Sequence, residues 1–426
     1  MKILKVLTSV WLLLVVVPIP LFYGMLLLTN GVWGGLLALV LTTGLVVLIV
    51  WRGLRGQIRR RPVRTVFIGL LAGAQLALFG YLCVPLGDPS AMPPATPPGV
   101  SPEYWDLSTG SRIASYHLPS QVPGEPKGTV LYIHGGPGGM IGTSNLRFLS
   151  GLTEHGYEVY AYDQAGGGMS GLLRPEEYSH QRNIDDLAEV IARIPSGNLT
   201  AIGQSYGSTL LASALADERI QPHLTKAVFS EPGGLPITNA NDYANAHVPG
   251  TPPQAAPKFG GRLPSVVSAP RVMLRVALPP SSLFVSQEET VAAQTEQEQL
   301  DLVRYTVCKD KAGEVMLQGN PLRVNMVTNI RVATTMNTLD LERFSQTKVP
   351  AMLMLGECSY VGRKEQLAYL HAYPAIERTQ YFQGMGHSLN SPEVLQSLLS
   401  FIEDTPAPLP NYPQKTDAEQ FINEGR

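Results

Sequence analysis

Ser205 lies in the stretch Gly203-Gln204-Ser205-Tyr206-Gly207, which joins a short apolar run to a helix-like segment. A strand that turns sharply into a helix at a Gly-x-Ser-x-Gly motif presents the serine hydroxyl at the end of a sheet. The amide of Tyr206, at the start of the helix, would face the same space. The spacing therefore predicts a nucleophilic serine and one donor for the oxyanion that forms when a carbonyl is attacked.

A serine hydroxyl is a poor nucleophile until a base takes its proton, and the best candidate base is His387. It stands in Gly384-Met385-Gly386-His387-Ser388, directly after the last predicted strand. Histidine titrates in the range that proton transfer needs. No comparable context surrounds His117, His155, His180, His223, His247 or His371.

A glycine-rich loop, residues 134–139, follows a buried strand and supplies a second candidate donor. Glycines let the backbone approach a substrate closely, so we expect the amide of Gly136 to hold the oxyanion together with the amide of Tyr206. A phosphate cradle is less consistent with the sequence, because no Gly-Lys-Ser/Thr follows. The turn at 163–170 is interpreted as structural.

The segments around these residues alternate between short apolar strands and helices, which predicts an α/β fold with a mainly parallel sheet. Strands are predicted at 111–117, 128–134, 157–163, 226–231, 349–356 and 379–383, besides the strand that leads into Ser205, and a helix at 183–194. The candidate residues fall at strand ends, where open parallel sheets bind ligands.

The predicted core is split by residues 233–346, which lack strand alternation. An insertion of that length between consecutive strands favours a cap or lid over a loop. The predicted organisation is therefore a core at 104–232 and 347–404, a cap at 233–346 and a tail at 405–426.

The first 87 residues have a different composition, with apolar runs at 6–28, 31–51 and 65–86. Each run has the roughly 20 residues that a membrane-spanning helix needs. The arginine-rich stretch at 52–64 places the N-terminus and this loop in the cytoplasm by the positive-inside tendency. Three crossings and a proline-rich linker at 88–103 then predict a multi-pass membrane protein, anchored in the bilayer through residues 6–86, with its globular part on the extracytoplasmic side.

The 426 residues carry a formal charge of −2, which gives no reason to expect a nucleic-acid partner. No Cys/His spacing suggests a metal site, and no cofactor is expected. Cys308 and Cys358 both fall in the region placed outside the cytoplasm, where oxidation would permit a bridge. Their separation is not readable from sequence, so both states stay open.

The region from about 104 to 403 resembles the α/β-hydrolase superfamily, most closely its proline iminopeptidase branch. The resemblance rests on HGGPGG at 134–139, DQAGGGMS at 163–170, GQSYGS at 203–208 and GMGHS at 384–388. The second motif is similar to the DQRGxGxS turn of that branch. The resemblance implies an α/β-hydrolase fold with a helical cap and a Ser-His-acid triad that cleaves small peptide or ester substrates.

The chain departs from the superfamily at the triad acid. The usual Gly-x-x-Asp after the seventh strand is replaced by Gly356-Glu357-Cys358-Ser359, and a serine cannot balance an imidazolium charge. Glu231, at the end of the preceding strand, occupies the alternative position that hosts the acid in some superfamily members. We favour Glu231, with Glu357 as the second candidate.

Two functional classes remain. One is a membrane-anchored serine hydrolase, either an aminopeptidase of proline iminopeptidase type or a carboxylesterase or lipase-like enzyme. The other is a catalytically weakened hydrolase-fold binding or sensor protein, which Ser359 would signal. Cleavage next to a free amine would need acidic cap residues, for which the candidates are Asp242, Glu288, Glu289, Glu296, Glu298, Asp301 and Glu314.

Overall fold

The computed structural model describes residues 100–195, 197–236, 324–336 and 339–411 continuously, together with parts of 40–77 and of 303–311. The chain divides into two compact units. One comprises residues 1–90 and 265–290, and the other comprises residues 91–264 and 291–426. The candidate nucleophile, base, acids and oxyanion donors all lie in the second unit.

In the first unit, the described residues between 40 and 77 are helical. Several of their apolar side chains are more than half exposed, among them Val40, Leu41, Val66 and Leu70. Within the described part of the chain, no helix has both the length and the apolar character that a bilayer crossing requires. The predicted span at 6–28 lies outside the described residues, and those at 31–51 and 65–86 are described only in part. The three spans stay a prediction.

The second unit is built on an eight-stranded sheet with the order β1-β2-β4-β3-β5-β6-β7-β8. The strands are β1 (Glu103–Asp106), β2 (Arg112–Leu118), β3 (Gly128–Ile133), β4 (Tyr157–Asp163), β5 (Leu199–Gln204), β6 (Lys226–Ser230), β7 (Ala351–Gly356) and β8 (Ile376–Phe382). β2 pairs antiparallel with both β1 and β4, and the remaining neighbours pair parallel. The carboxyl ends of β3 to β8 therefore meet at one edge.

The helices of this unit are α1 (Thr143–Thr153), α2 (His180–Arg193), α3 (Tyr206–Leu215), α4 (Met326–Ala333), α5 (Leu341–Gln346), α6 (Arg363–Ala372) and α7 (Pro392–Ile402), with single 3-10 turns at Pro175–Glu177 and Gln221–His223. α1 packs on β4 and against α7, whereas α2 packs on α3, which lies on β5. β3, β5 and β7 are buried almost throughout, as central strands covered on both faces must be.

Between β6 and β7 the structure describes α4, α5 and short flanking stretches. Residues 237–302 and 312–323 of the predicted cap at 233–346 lie outside the described residues. The same holds for 88–99 of the predicted linker and 412–426 of the predicted tail. The cap therefore stays a prediction. Of its described residues, those at the start of α4 contact the loop after β3, and Thr306 and Cys308 contact the chain beside His387.

Candidate active site

Ser205 occupies a sharp turn between β5 and α3. Its backbone has φ 55° and ψ −119°, an arrangement that a non-glycine residue adopts only when its surroundings enforce it. The Ser205 amide donates to the Ser230 carbonyl at 2.9 Å. A Cβ on Gly203 would lie 2.6 Å from the carbonyl carbon of Gly207, and one on Gly207 would lie 2.8 Å from the His134 carbonyl oxygen. Both glycines are thus required by close backbone contact, and the turn holds the serine at the end of β5.

His387 lies in the loop after β8, residues 384–388, called the histidine loop below. Its side chain is 3% exposed, and its Nδ1 lies 3.2 Å from Oε2 of Glu231. A carboxylate can only accept, so Nδ1 carries the proton and donates it. Nε2 has no hydrogen-bond partner among the described residues. The Gln204 side chain donates to the His387 carbonyl at 3.2 Å, which ties the histidine loop to the residue before Ser205.

Glu231 directly follows β6 and is fully buried, with a φ of 46°. One carboxylate oxygen, Oε1, accepts the Gly356 amide. The other, Oε2, accepts from Gln366 Nε2 at 2.9 Å as well as from His387. The structure thus brings the favoured acid candidate against the imidazole and surrounds it with donors.

After β7, Ser359 lies beside the imidazole of His387, whereas Glu357, the second candidate for the triad acid, does not contact it in the described structure. Ser359 Oγ is 3.4 Å from His387 Nδ1 and accepts from the Val361 amide at 3.2 Å. Glu357 is exposed and accepts from the Gly384 amide at 2.7 Å. The second acid candidate therefore supports the turn that begins the histidine loop and makes no described contact with the imidazole.

The amides predicted to form the oxyanion site flank Ser205. Residues 134–139, called the oxyanion loop below, run beside the serine, since a Cβ on Gly135 would lie 2.6 Å from Ser205 Cβ. Gly136 has a φ of 53°, and its carbonyl accepts from the Gly139 amide at 2.7 Å. Among the described backbone hydrogen bonds, neither the Gly136 amide nor the Tyr206 amide acts as a donor. Both amides therefore stay candidates for the oxyanion site.

His134 is held in a single tautomer and supports the oxyanion loop. The Gln164 amide donates to His134 Nε2 at 3.1 Å, so the ring proton must be on Nδ1, which donates to the Gly135 carbonyl at 2.7 Å. Burial lowers the pKa of His134 to about 4, although the bond to Gly135 opposes this. His134 is therefore neutral at physiological pH and acts as part of the loop's scaffold.

The turn at 163–170 is structural, as the sequence indicates. Asp163 is fully buried, and its carboxylate accepts the Ile141 amide at 2.7 Å, the Tyr116 hydroxyl at 2.8 Å and the Met169 amide at 2.9 Å. Burial raises the pKa of Asp163 to about 6 despite these bonds. The side chain joins β2 and β4 to the chain that leaves the oxyanion loop.

A buried polar cluster behind Ser205 was missed by the sequence analysis, which gave His180 no role. The Tyr206 hydroxyl accepts from Asn183 Nδ2 at 2.8 Å and lies 2.9 Å from His180 Nδ1. His180 Nε2 lies 2.9 Å from Ser213 Oγ. Burial lowers the pKa of His180 to about 4, so the neutral ring accepts from Tyr206 and donates to Ser213. The available signal was the spacing of His180 and Asn183 on one helical face.

α4 is bonded to the oxyanion loop. The Asn325 amide donates to the Gly138 carbonyl at 2.8 Å, and its side chain donates to the Gly166 carbonyl at 2.9 Å while Oδ1 caps α4. Asn329 Nδ2 donates to the Pro137 carbonyl at 3.1 Å. The region between β6 and β7 thus fixes the position of the loop that carries Gly136.

A second part of the same region is bonded to the histidine loop. Cys308 and Cys358, whose pairing the sequence left open, form a disulfide with a Cα–Cα distance of 5.1 Å. The Ser388 amide donates to the Thr306 carbonyl at 3.2 Å. The bridge ends one residue before Ser359, so it fixes the chain beside His387.

No group of three or more His, Cys, Asp or Glu side chains within the described residues could hold a metal ion.

Comparison with known proteins places this geometry in a known fold. Residues 128–307 match the family model described as alpha/beta hydrolase fold. No curated protein sequence matches the chain.

Several solved structures are similar to the chain. An esterase from Exiguobacterium antarcticum is 16% identical, with 70% of this chain and 98% of that one covered and a TM-score of 0.47. A thermophilic esterase from Thermogutta terrifontis is 14% identical, with 71% and 98% covered and a TM-score of 0.47. A thioesterase domain from the curacin biosynthetic pathway is 20% identical, with 72% and 100% covered and a TM-score of 0.42. The proline iminopeptidase branch stays a prediction. The family match and the strand order together show that this chain has the α/β-hydrolase fold.

Proposed function

We propose that this protein is a membrane-anchored serine hydrolase that cleaves ester or amide bonds through an acyl-enzyme on Ser205. The observation that carries the proposal is the contact of a buried carboxylate, Glu231, with Nδ1 of His387 beside the Ser205 turn, which leaves Nε2 without a described partner. A histidine held in this tautomer is prepared to take a proton on its other nitrogen.

The proposed reaction begins when Ser205 Oγ attacks the substrate carbonyl carbon while His387 Nε2 takes the hydroxyl proton. The carbonyl electron pair moves onto oxygen, where the amides of Gly136 and Tyr206 stabilise the negative charge. Glu231 stabilises the imidazolium. His387 then gives its proton to the leaving alcohol or amine, and a water molecule activated by the same base hydrolyses the ester on Ser205.

The catalytically weakened alternative depends on the absence of an aspartate at position 359. That argument does not apply if Glu231, directly after β6, is the triad acid, because its carboxylate supplies the negative charge that Ser359 lacks. Even loss of a triad acid leaves considerable catalysis from the other groups. We therefore favour an active enzyme over a binding or sensor protein.

Both ester and amide substrates fit this mechanism. Recognition of a free peptide amine would require acidic side chains near the acyl site, and the candidates between residues 242 and 314 lie outside the described residues. A panel of aminoacyl anilides and acyl esters decides between an aminopeptidase and a carboxylesterase. Turnover of prolyl or alanyl anilides in preference to acyl esters would support the iminopeptidase assignment.

Covalent labelling tests the proposed nucleophile. A fluorophosphonate probe should modify the purified full-length protein at Ser205, and Ser205→Ala should abolish the adduct. The matched control is Ser144→Ala, which removes an exposed hydroxyl on α1 and should label like the wild type. Absence of any adduct on a folded wild-type protein would contradict the proposal.

The membrane anchor is proposed from the sequence, with two supporting observations. The described helical residues between 40 and 77 expose large apolar side chains, as a lipid-facing surface would. The Cys308–Cys358 bridge is of the kind that persists in oxidising compartments, which favours an extracytoplasmic globular part. The full chain should stay with membranes after alkaline extraction, and protease added to intact cells should degrade the globular part. Release into the soluble fraction would contradict the anchor, and protection from protease would contradict the orientation.

A further inference from the structure

Gln366, on α6, is a fully buried side chain with contacts on two groups of the candidate site. Its Nε2 donates to Glu231 Oε2 at 2.9 Å and to Ser359 Oγ at 3.2 Å. These two acceptors are the oxygens that lie 3.2 Å and 3.4 Å from His387 Nδ1. The amide group of Gln366 and the imidazole of His387 therefore lie beside the same pair of oxygens.

The hydrogen-bond capacity of Ser359 shows what this arrangement does. A serine oxygen has two lone pairs, and those of Ser359 accept from the Val361 amide and from Gln366. The Nδ1 proton of His387 is then left with the Glu231 carboxylate as its acceptor. Gln366 thus occupies the remaining lone pair of the Ser359 hydroxyl, and the Glu231 oxygen, which Gln366 also contacts, stays the acceptor for the histidine.

The backbone of Glu231 makes such support necessary. Its φ of 46° is one that non-glycine residues adopt rarely and at a cost. The carboxylate of Glu231 is held by the Gly356 amide on one oxygen and by Gln366 and His387 on the other. Without Gln366, Oε2 would keep only His387 as a described donor, and its position would depend on the group that it has to orient.

We propose that Gln366 is a positioning residue of the catalytic triad, which directs Glu231 onto Nδ1 of His387. The role rests on the proposed function, because it matters only if Glu231 and His387 act on Ser205. It assigns to α6 a part in catalysis that neither the motifs nor the strand ends contain.

If Gln366 had only a structural role, replacing it should affect activity no more than replacing another buried glutamine. The chain offers such a glutamine as a matched control. Gln380, on β8, is also fully buried, and its Nε2 donates to the Leu409 carbonyl at 3.2 Å. The Oε1 atoms of Gln366 and Gln380 both lack a described partner. Gln366→Leu and Gln380→Leu each remove a buried amide, and only the first removes a donor from Glu231.

The test uses the full-length protein and measures kcat/KM on its best chromogenic ester from about pH 5 to about pH 9, the rate of fluorophosphonate labelling and Tm. Relative to Gln380→Leu, Gln366→Leu should lower kcat/KM about ten- to a hundredfold, mainly through kcat. The acid limb of its pH profile should also move relative to that of Gln380→Leu, since only Gln366→Leu disturbs the carboxylate that contacts the imidazole. Both variants should lose similar thermal stability.

Gln366→Glu is the second variant, because its side chain has almost the same shape and, when protonated, can still donate to Glu231 Oε2. This donor is lost when the new acid ionises, so activity should fall as the pH rises. If Gln366→Leu and Gln366→Glu both keep kcat/KM within about threefold of Gln380→Leu, with an unmoved acid limb, Gln366 has no positioning role. A wild-type protein that neither labels nor turns over substrate would instead refute the proposed function, and this role with it.

Discussion

Replacement of Glu231 by glutamine is the change that bears most directly on the proposed chemistry. Glu231→Gln keeps the shape of a fully buried side chain and removes the charge 3.2 Å from His387 Nδ1. A glutamine cannot satisfy every donor that the carboxylate satisfies. Whichever way it is turned, its amide nitrogen faces either the Gly356 amide or the donors on His387 and Gln366.

The size of the effect follows from the separation of the two groups. At 3.2 Å and an effective dielectric constant of about 20, Coulomb's law gives about 5 kcal/mol between the carboxylate and an imidazolium. In the proposed reaction the imidazolium forms when His387 takes the proton of Ser205, so most of this energy should appear in kcat. At about 1.4 kcal/mol per tenfold, the expected loss is about 10³- to 10⁴-fold.

The assay is steady-state hydrolysis of a chromogenic ester, with Tm measured on every variant. Glu357→Gln is the control, since its exposed carboxylate binds the Gly384 amide and should cost less than about tenfold. Adding Ser359→Asp to Glu231→Gln should restore part of the lost activity, because residue 359 lies beside the same imidazole nitrogen. If Glu231→Gln folds and stays within about fivefold of wild type, the acid has been assigned wrongly.

Further predictions concern pH, the disulfide and α4. Burial lowers the pKa of His180 to about 4 in the folded protein, so as the pH falls the unfolded chain is the first to protonate this histidine. Up to about 3 kcal/mol of folding stability, fully present above pH 6.5, is therefore lost as the pH falls towards 4. His180→Gln should make the urea midpoint less sensitive to pH in that window, and an unchanged slope would contradict the burial argument. Joint replacement of Cys308 and Cys358 by serine should lower the free energy of unfolding by about 4 kcal/mol, given their separation of 50 residues, and denaturant titration measures it. Asn325→Ala should lower kcat with little change in KM, because it removes the side-chain bond to the Gly166 carbonyl and the cap of α4, which hold residue 325 against the oxyanion loop; a change in KM alone would contradict this.

Much of the fold follows from local sequence pattern. The strand predicted at 157–163 matches β4 at both ends, and β2, β3, β6 and β7 match within two residues. β1 was not predicted, because four largely exposed residues at a sheet edge carry no apolar alternation. β8 begins at Ile376, before the predicted start at 379, because the charged pair Glu377 and Arg378 conceals an edge strand.

Some residues of the candidate site could also be located from the sequence, and others could not. The motifs locate Ser205 and His387, because both depend on glycine-rich turns that are visible in the sequence. The sequence favoured Glu231 over Glu357 only by its place at a strand end, because the contact with the imidazole depends on the packing of β6 and on a φ of 46° at Glu231, which no motif shows. The roles of His180 and Gln366 were equally hidden, because each residue acquires its partners only when a helix packs against a distant part of the chain.

The region between β6 and β7 is bonded to both sides of the candidate site. Asn325 joins it to the glycine loop next to the nucleophile, and Thr306 with the Cys308 bridge joins it to the base. Replacing this region with an insert from another enzyme, in order to change substrate selectivity, would also remove the bonds that hold the oxyanion loop and the histidine loop in place. Selectivity and turnover number should therefore change together in such chimaeras, unless both attachment points are transplanted intact.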